Sequence, residues 1–593
     1  MERLILTILV IALIPFMLFG IDHLIIAPTE FIPKSNELAQ YYLEHFGIER
    51  TVVDLQTIFN QYSDGNPDKM AIKQFISDTF ISLSNWEENS ILLVGSGTLS
   101  WDDDKNKIVT YDTNGDYGYA DLDTDYVADI PLGRLPAQNI LQLNLMIDHI
   151  ISYYENNNFG LWRDKVLFLA DDEHKNGGIE GVGEHNSFNH TKIAEDTGNL
   201  INDNVIVKKV LGIEYTPDEN GDKPEATANL INALNDGVLC WHYIGHGGTN
   251  NLGDERYFNS DRDIPLLANN DKIFLFTAAT SNVGYFYDVD IDCLAERILF
   301  LENGGAIASI AAVAGTYPSM NTVFFNEFYS KLINEKKNLG IAFLDAENTI
   351  NGHRYNILGD PLLKLNLPDS ENSITIENTT DILYPNDNVN LLCNIGNNII
   401  SGTSKVNVYE SEYNIHYSNT WNGMTYQVDY TKVGNSIYDN DIEIENGSVQ
   451  TSFVVPQEVN FGDKGKIIIY SSNEDTDFIN YAYPVIFNGV ASDDDIVETP
   501  TNFELYQNYP NPFNPTTTIK FSIKNDSTVK LVLYNVKGQN VKTLASNNFT
   551  KGSYSIIWNG DNDTGKSVNS GMYFYKLIVN DKSGAAKKCL LLK

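Results

Sequence analysis

Apolar residues along this chain fall into two regimes. Up to about residue 367 they come in short, mostly apolar runs, at 23–27, 51–55, 90–95, 165–170, 238–245, 273–276 and 304–310, many of them bounded by glycine or small polar residues. Such runs read as strands buried on both faces, as in a parallel sheet. Between them lie stretches of helical period at 36–46, 68–82, 141–154, 225–235, 324–333 and 339–350. Strands alternating with helices predict an α/β fold with parallel sheets. The spacing predicts two sub-domains, 22–157 and 158–367, with the run at 165–170 opening a second sheet. From 373 onward the pattern changes to period-two alternation with Asn, Gly and Asp turns, as in Val406-Asn-Val-Tyr409 and Ser452-Phe-Val-Val455. That predicts an all-β, immunoglobulin-like sandwich over 372–490. An acidic linker, 491–502, separates it from a second small β-sandwich at 503–593, rich in prolines and Gly/Asn turns.

Composition narrows the function classes. The chain has 593 residues, enough for several domains, and a formal charge of −39. A surface this acidic repels nucleic acid and anionic membranes, so neither is expected as a partner. The four cysteines, Cys240, Cys293, Cys393 and Cys589, have no CxxC pair and no zinc spacing. At the N-terminus Arg3 precedes an apolar run that reaches Ile21. A cleaved signal peptide over 1–21 and an uncleaved anchor are both open. The soluble character of the remainder favours the signal peptide, and with it no integral membrane domain after its removal.

Two runs end in residues with chemistry to offer. Val238-Leu-Cys-Trp-His-Tyr-Ile-Gly245 is followed by His246-Gly247-Gly248, and 273–276 is followed by Thr277-Ala-Ala-Thr-Ser281-Asn-Val-Gly284. In open α/β sheets, chemistry gathers at the carboxyl ends of strands. His246 and Ser281 are therefore expected at neighbouring strand ends.

This layout resembles the caspase-like cysteine peptidases, and among them the gingipain family. Its second motif is Cys-x-x-Gly-x-Phe with a following Asp. Gly284, Phe286 and Asp288 are in place, but Ser281 occupies the cysteine position. The resemblance covers about 23–367 and rests on many separated motifs in family order. These include the opening Leu24-Ile-Ile-x-Pro28-x-x-Phe31, Gly133-Arg134, Ala170-Asp171-Asp172 and Gly359-Asp360-Pro361. It implies caspase-like sheets, peptide-bond chemistry on a protein or peptide substrate, His246 as general base and the Gly247 N–H as part of an oxyanion hole. It also implies Asp171, Asp172 and Glu255 near the cleft, with structural, calcium-binding and cleft-lining roles open to the two aspartates and the structural one favoured. Gly247-Gly248 and Glu255-Arg256 are similar to the sortase branch of the family, so hydrolysis and transpeptidation both stay open.

Serine at 281 leaves three readings: a degenerate peptidase that binds or scaffolds, a working serine variant, or a misplaced alignment. A hydroxyl depends on its base far more than a thiol does, and the sequence names no acid to orient His246. His242, four residues earlier, reads as a core histidine. Cys240 and Cys293 read as packing cysteines. No cofactor is required. Asp121, Asp123, Asp125 and Asp129 form an acidic stretch that fails as an EF-hand, with Tyr126 at the glycine position and Leu132 at the glutamate position. The resemblance implies a structural Ca²⁺ there; a solvated loop is the other reading. Finally, Tyr509-Pro-Asn-Pro-Phe-Asn-Pro-Thr516, Trp558-Asn-Gly560 and Gly571-Met-Tyr-Phe-Tyr575 are similar to the C-terminal sorting domain of bacterial type IX secretion. That implies export by the type IX machinery to the cell surface or the medium.

Overall fold

The computed structural model describes residues 22–83, 85–155, 158–172, 174–175, 178–179, 189–350, 352–371, 373–377, 382–395, 399–421, 424–488, 503–508, 511–580 and 582–592. The expected signal segment 1–21 and the linker 491–502 lie outside them.

Each apolar run of the first regime forms a strand. In chain order the strands are β1 (His23–Ala27), β2 (Thr51–Asp54), β3 (Ser90–Val94), β4 (Leu132–Leu135), β5 (Lys165–Ala170), β6 (Ile206–Leu211), β7 (Cys240–Ile244), β8 (Phe274–Ala279), β9 (Ala306–Ala312) and β10 (Tyr355–Leu358). They make one ten-stranded sheet in the order β2-β1-β3-β4-β10-β9-β8-β7-β5-β6. All neighbours are parallel except β9 and β10. The strands of 22–157 and 158–367 thus join edge to edge instead of forming separate sheets.

The reason lies at the β4–β10 seam. Leu358 pairs with Arg134, whose guanidinium is fully buried. Arg134 donates to both carboxylate oxygens of Asp116 at 2.6 and 2.7 Å, and to the carbonyls of Gly95 and Ile108. A second buried pair, Arg50 with Asp360 at 2.5 Å, ties the start of β2 to the turn after β10. A side chain at Gly133 would meet the Gly359 carbonyl at 2.4 Å, so only glycine lets the two halves close.

Helices cover both faces: α1 (Ile32–Phe46), α2 (Leu55–Tyr62), α3 (Lys69–Phe80), α4 (Ile140–Glu155), α5 (His190–Gly198), α6 (Pro224–Asp236), α7 (Pro318–Tyr329) and α8 (Leu339–Glu347). Their starts follow polar caps. Asp54, Asp68, Asn189 and Asn338 each accept a first-turn N–H. α1 ends on Gly47 at φ 68°. Every residue of β7 and β8 is buried. At ~1.5–3 kcal/mol per fully buried large apolar side chain, this central strip is the anchor of the fold.

Beyond 367 the chain is all-β. A six-stranded sheet that includes Gly402–Tyr409, Gly462–Ser472 and Asp477–Phe487 packs on a three-stranded one, Ile374–Glu377, Asn388–Asn394 and Ser448–Val454. One hairpin, β11 (Tyr413–Trp421) and β12 (Met424–Lys432), leaves this sandwich. β11 pairs in parallel with β13 (Gly552–Trp558) of the tail. The tail sandwich is therefore completed by strands from the preceding domain, an arrangement its own alternation pattern did not foretell. The inner faces of the hairpin, including Ile415, Tyr417, Val428 and Tyr430, pack into the core of the α/β domain. Among the described residues no helix is long and apolar enough to cross a membrane.

Candidate active site

Three strand ends set the site. β7 lies between β5 and β8, with Ile244 paired to Ala170 on one side and to Ala279 on the other. The residues just past these ends are therefore brought abreast: Asp171-Asp172, Gly245-His246 and Thr280-Ser281. The equal offset places His246 and Ser281 two residues beyond paired positions of adjacent parallel strands. Both line a cavity of about 180 Å³, together with His190, Gly247, Asp254, Thr316 and Asn321.

Two glycines allow this packing. A Cβ on Gly245, whose φ is 154°, would meet the Asp171 Cβ at 2.2 Å and the Tyr243 hydroxyl at 2.5 Å. A Cβ on Gly247 would meet Thr280 Oγ1 at 2.6 Å. Gly247 sits opposite Leu252 in a short antiparallel bridge. The bonds of that bridge run from the Gly253 N–H to the His246 carbonyl and from the Gly248 N–H to Asn251. The Gly247 N–H takes no part in them. Ser281 is held in a turn whose next residue, Asn282, adopts φ 63°, a conformation Asn tolerates. Its Oγ accepts the Thr316 N–H at 3.0 Å. A Cβ on Gly284 would meet the Ala311 carbonyl at 2.8 Å, and Phe286 is buried with the Arg134 guanidinium over its ring.

Asp171 and Asp172 are buried behind the cavity wall instead of forming it, at 1% and 2% exposure. Their role there is to hold backbone. Asp171 accepts the His246 N–H at 2.9 Å and the Asp172 N–H at 2.9 Å, and Tyr243 reaches both Asp171 and the His246 carbonyl. Asp172 is ion-paired with Lys223, which also donates to the Gly212 carbonyl at 2.9 Å. Burial, then the charges of Glu255 and Asp172, push the Asp171 carboxyl well above the usual range. Glu255 is pushed up as well, by burial and then by Asp172, and groups with both aspartates behind the wall, which its neighbour Asp254 lines.

His242 is a core residue, bonded to Thr277 Oγ1 at 2.8 Å and pushed down to about 3 by burial. Cys240 and Cys293 are fully buried, and their thiols are raised by burial. The residue that sequence reasoning missed is His190. It opens α5, 56 residues before His246 (246 − 190), and its ring stands edge-on to that of His246 at 5.4 Å. Only the Asn189 cap beside it marked the position, as a helix start. In the acidic loop, Asp121, Asp123 and Asp129 group together, while Asp125 stays outside the group and accepts the Val127 N–H.

The profile of peptidase family C25 matches residues 18–366, more than half the chain. The chain belongs to peptidase family C25. A second profile, the FlgD Ig-like domain, matches 511–583 within the tail. Among solved structures, the C25 chain is similar to the complex of Porphyromonas gingivalis RgpB pro- and mature domains, at 15% identity and TM-score 0.45, over 79% of this chain and 100% of that one. It is also similar to the dimeric latent PorU of Porphyromonas gingivalis, at 14% identity and TM-score 0.33, over 96% of this chain and 64% of that one. No curated protein matches.

Proposed function

We propose that this C25 chain is an exported peptide-binding protein whose cleft keeps the base and the oxyanion donor of a peptidase, while Ser281 in place of cysteine makes cleavage slow. The observation that carries the reading is the register of β7 and β8, which sets His246 and Ser281 abreast on one cavity. In this reading His246 is the base that takes the nucleophile's proton and returns it to the leaving amine, and the Gly247 N–H faces the oxyanion.

Slow turnover follows from the third group. Serine hydrolases need an ionised acid behind the base to stabilise the imidazolium, worth on the order of 10⁴ in rate in the triad template. Asp171 accepts the His246 backbone N–H, but burial and its acidic neighbours push its carboxyl well above the usual range. Its oxygens already accept the His246 and Asp172 backbone N–H groups and meet the Tyr243 hydroxyl, which leaves less of its charge for an imidazolium. A second reading, a working serine peptidase or transpeptidase, is favoured by one feature: Asp171 and His246 bring ligand atoms within 4.8 Å. Binding of a fluorescent peptide library with wild-type cleavage near background supports the first reading. Robust wild-type cleavage, abolished in Ser281→Ala, establishes the second; absence of peptide binding contradicts both.

The tail motifs support a role as a type IX sorting domain, with that secretion machinery as partner and the cell surface or medium as destination. The carboxylates of Asp121, Asp123 and Asp129 suit a structural Ca²⁺ of the hard-cation class.

A further inference from the structure

His190 has no part in a His–Ser dyad, yet the fold delivers it to the same spot. It is 3% exposed and opens α5, whose first turn is fixed by Asn189 accepting the Lys192 N–H. One ligand atom from each of Asp171, His190 and His246 lies within 4.8 Å of the other two. The three come from separate elements: the end of β5, the start of α5 and the end of β7. We propose that they form a binding site for a divalent transition cation of the zinc class, with the fourth coordination position open to the cavity.

The donor set makes the case. Two imidazoles and one carboxylate are the borderline ligands that suit Zn²⁺ and Co²⁺, whereas Ca²⁺ selects all-oxygen sites. With metal–nitrogen bonds of about 2.0–2.1 Å, tetrahedral ligand atoms stand roughly 3.3 Å apart. The half-exposed His246 side chain, on the cavity wall, can swing through the remaining gap, while Asp171 and His190 are fixed by burial. Asp171 is already oriented by the His246 and Asp172 N–H groups and by Tyr243, the outer-shell support that ligating carboxylates require. Charge points the same way. Asp171, Asp172 and Glu255 gather, and among the described residues Lys223 is paired to Asp172. A dication at Asp171 offsets the surplus. Three protein ligands with an open fourth position is the pattern of sites that carry water or a ligand. A metal held there takes the lone pair of His246, so the metal-bound form and a free His246 base exclude each other.

The test is a Co²⁺ titration of the chelator-stripped full chain with Ca²⁺ in excess to fill oxygen-only sites, read by visible absorption and calorimetry. The expected result is one equivalent with the intense bands of four-coordinate cobalt, displaced by Zn²⁺. His190→Ala and Asp171→Asn weaken binding by more than the ~100-fold that loss of a supporting partner costs. His190→Gln repeats the measurement with a side chain that fills the helix start, and Asp123→Asn, in the acidic loop, leaves cobalt binding unchanged. Wild-type-like affinity in both His190 variants, loss in Asp123→Asn, or no uptake by the wild type overturns the proposal. The readout is the metal itself, so failure of the chain to cleave or bind peptide has no bearing on it.

Discussion

Removing Lys209 should loosen the β11–β12 hairpin from α5, and with it the helix that begins at His190. Lys209 and Glu195 are paired at 2.6 Å with side chains 7% and 6% exposed. Glu195 also accepts the Thr431 N–H at 3.1 Å and its hydroxyl at 2.9 Å, and Lys209 reaches Thr431 at 3.2 Å. Burial pushes the Glu195 carboxyl up, but the charge and hydrogen bond of Lys209 outweigh it and hold the group below its usual value. A depressed carboxyl contributes stability above its unfolded pKa and loses it as pH falls through the folded one. Lys209→Met leaves a buried carboxylate without its cation. Breaking such a pair costs about 3–5 kcal/mol, and the two bonds from Thr431 place this case near the lower figure. At about 3 kcal/mol, amide protection in α5 and the hairpin drops by roughly 10² at pH 7. In the variant only the Thr431 bonds oppose burial, so the Glu195 carboxyl sits higher than in the wild type and the deficit narrows toward pH 5. Adding Glu195→Gln restores most of the protection. The assay is native-state hydrogen exchange at pH 5 and 7. A change under about fivefold at pH 7, or a deficit that widens at pH 5, refutes the reasoning.

Three further outcomes are expected. Asp164 accepts the Tyr481 hydroxyl at 2.9 Å and burial pushes it up to about 7, so the native state holds a proton that the unfolded chain has lost. Its contribution falls as pH rises from about 4 to 7, and Asp164→Asn should gain on wild type in melts between pH 5 and 8, with parallel curves contradicting this. Gly245→Ala forces a methyl to within 2.2 Å of the Asp171 Cβ and should cost on the order of 2 kcal/mol by melting while abolishing peptide binding. Deleting 503–593 removes the partner of β11, so the truncated chain should expose that edge and associate in light scattering. In a host with the type IX pathway it should also stay inside the cell, and normal surface delivery contradicts the sorting role.

Much of the α/β layer was legible because its strands are buried on both faces and therefore read as mostly apolar runs. The adjacency of the His246 and Ser281 strand ends followed from the same runs, since parallel neighbours end on one side of the sheet. The single sheet was not legible: it depends on the pairing of Leu358 with Arg134 and on buried ion pairs whose partners are distant in sequence, as Arg50 and Asp360 are. His190 was invisible because a histidine at a helix start carries no local signal, and only the packing of α5 on β7 brings it to His246. The hairpin at 413–432 fell inside the sandwich expected over 372–490, because alternation specifies an inner face and not which sheet will supply it.

The central claim is that the cleft lacks only a sulfur. Its most direct measurement is the reaction of Ser281→Cys with iodoacetamide and with a peptide library, beside wild type and Ser281→Cys/His246→Ala. A thiolate forms readily beside a histidine, whereas the four native cysteines are buried. The account predicts alkylation at 281 and peptide cleavage at least 10²-fold above wild type, both lost with His246→Ala. A folded, peptide-binding Ser281→Cys chain that neither alkylates at 281 nor cleaves would contradict it.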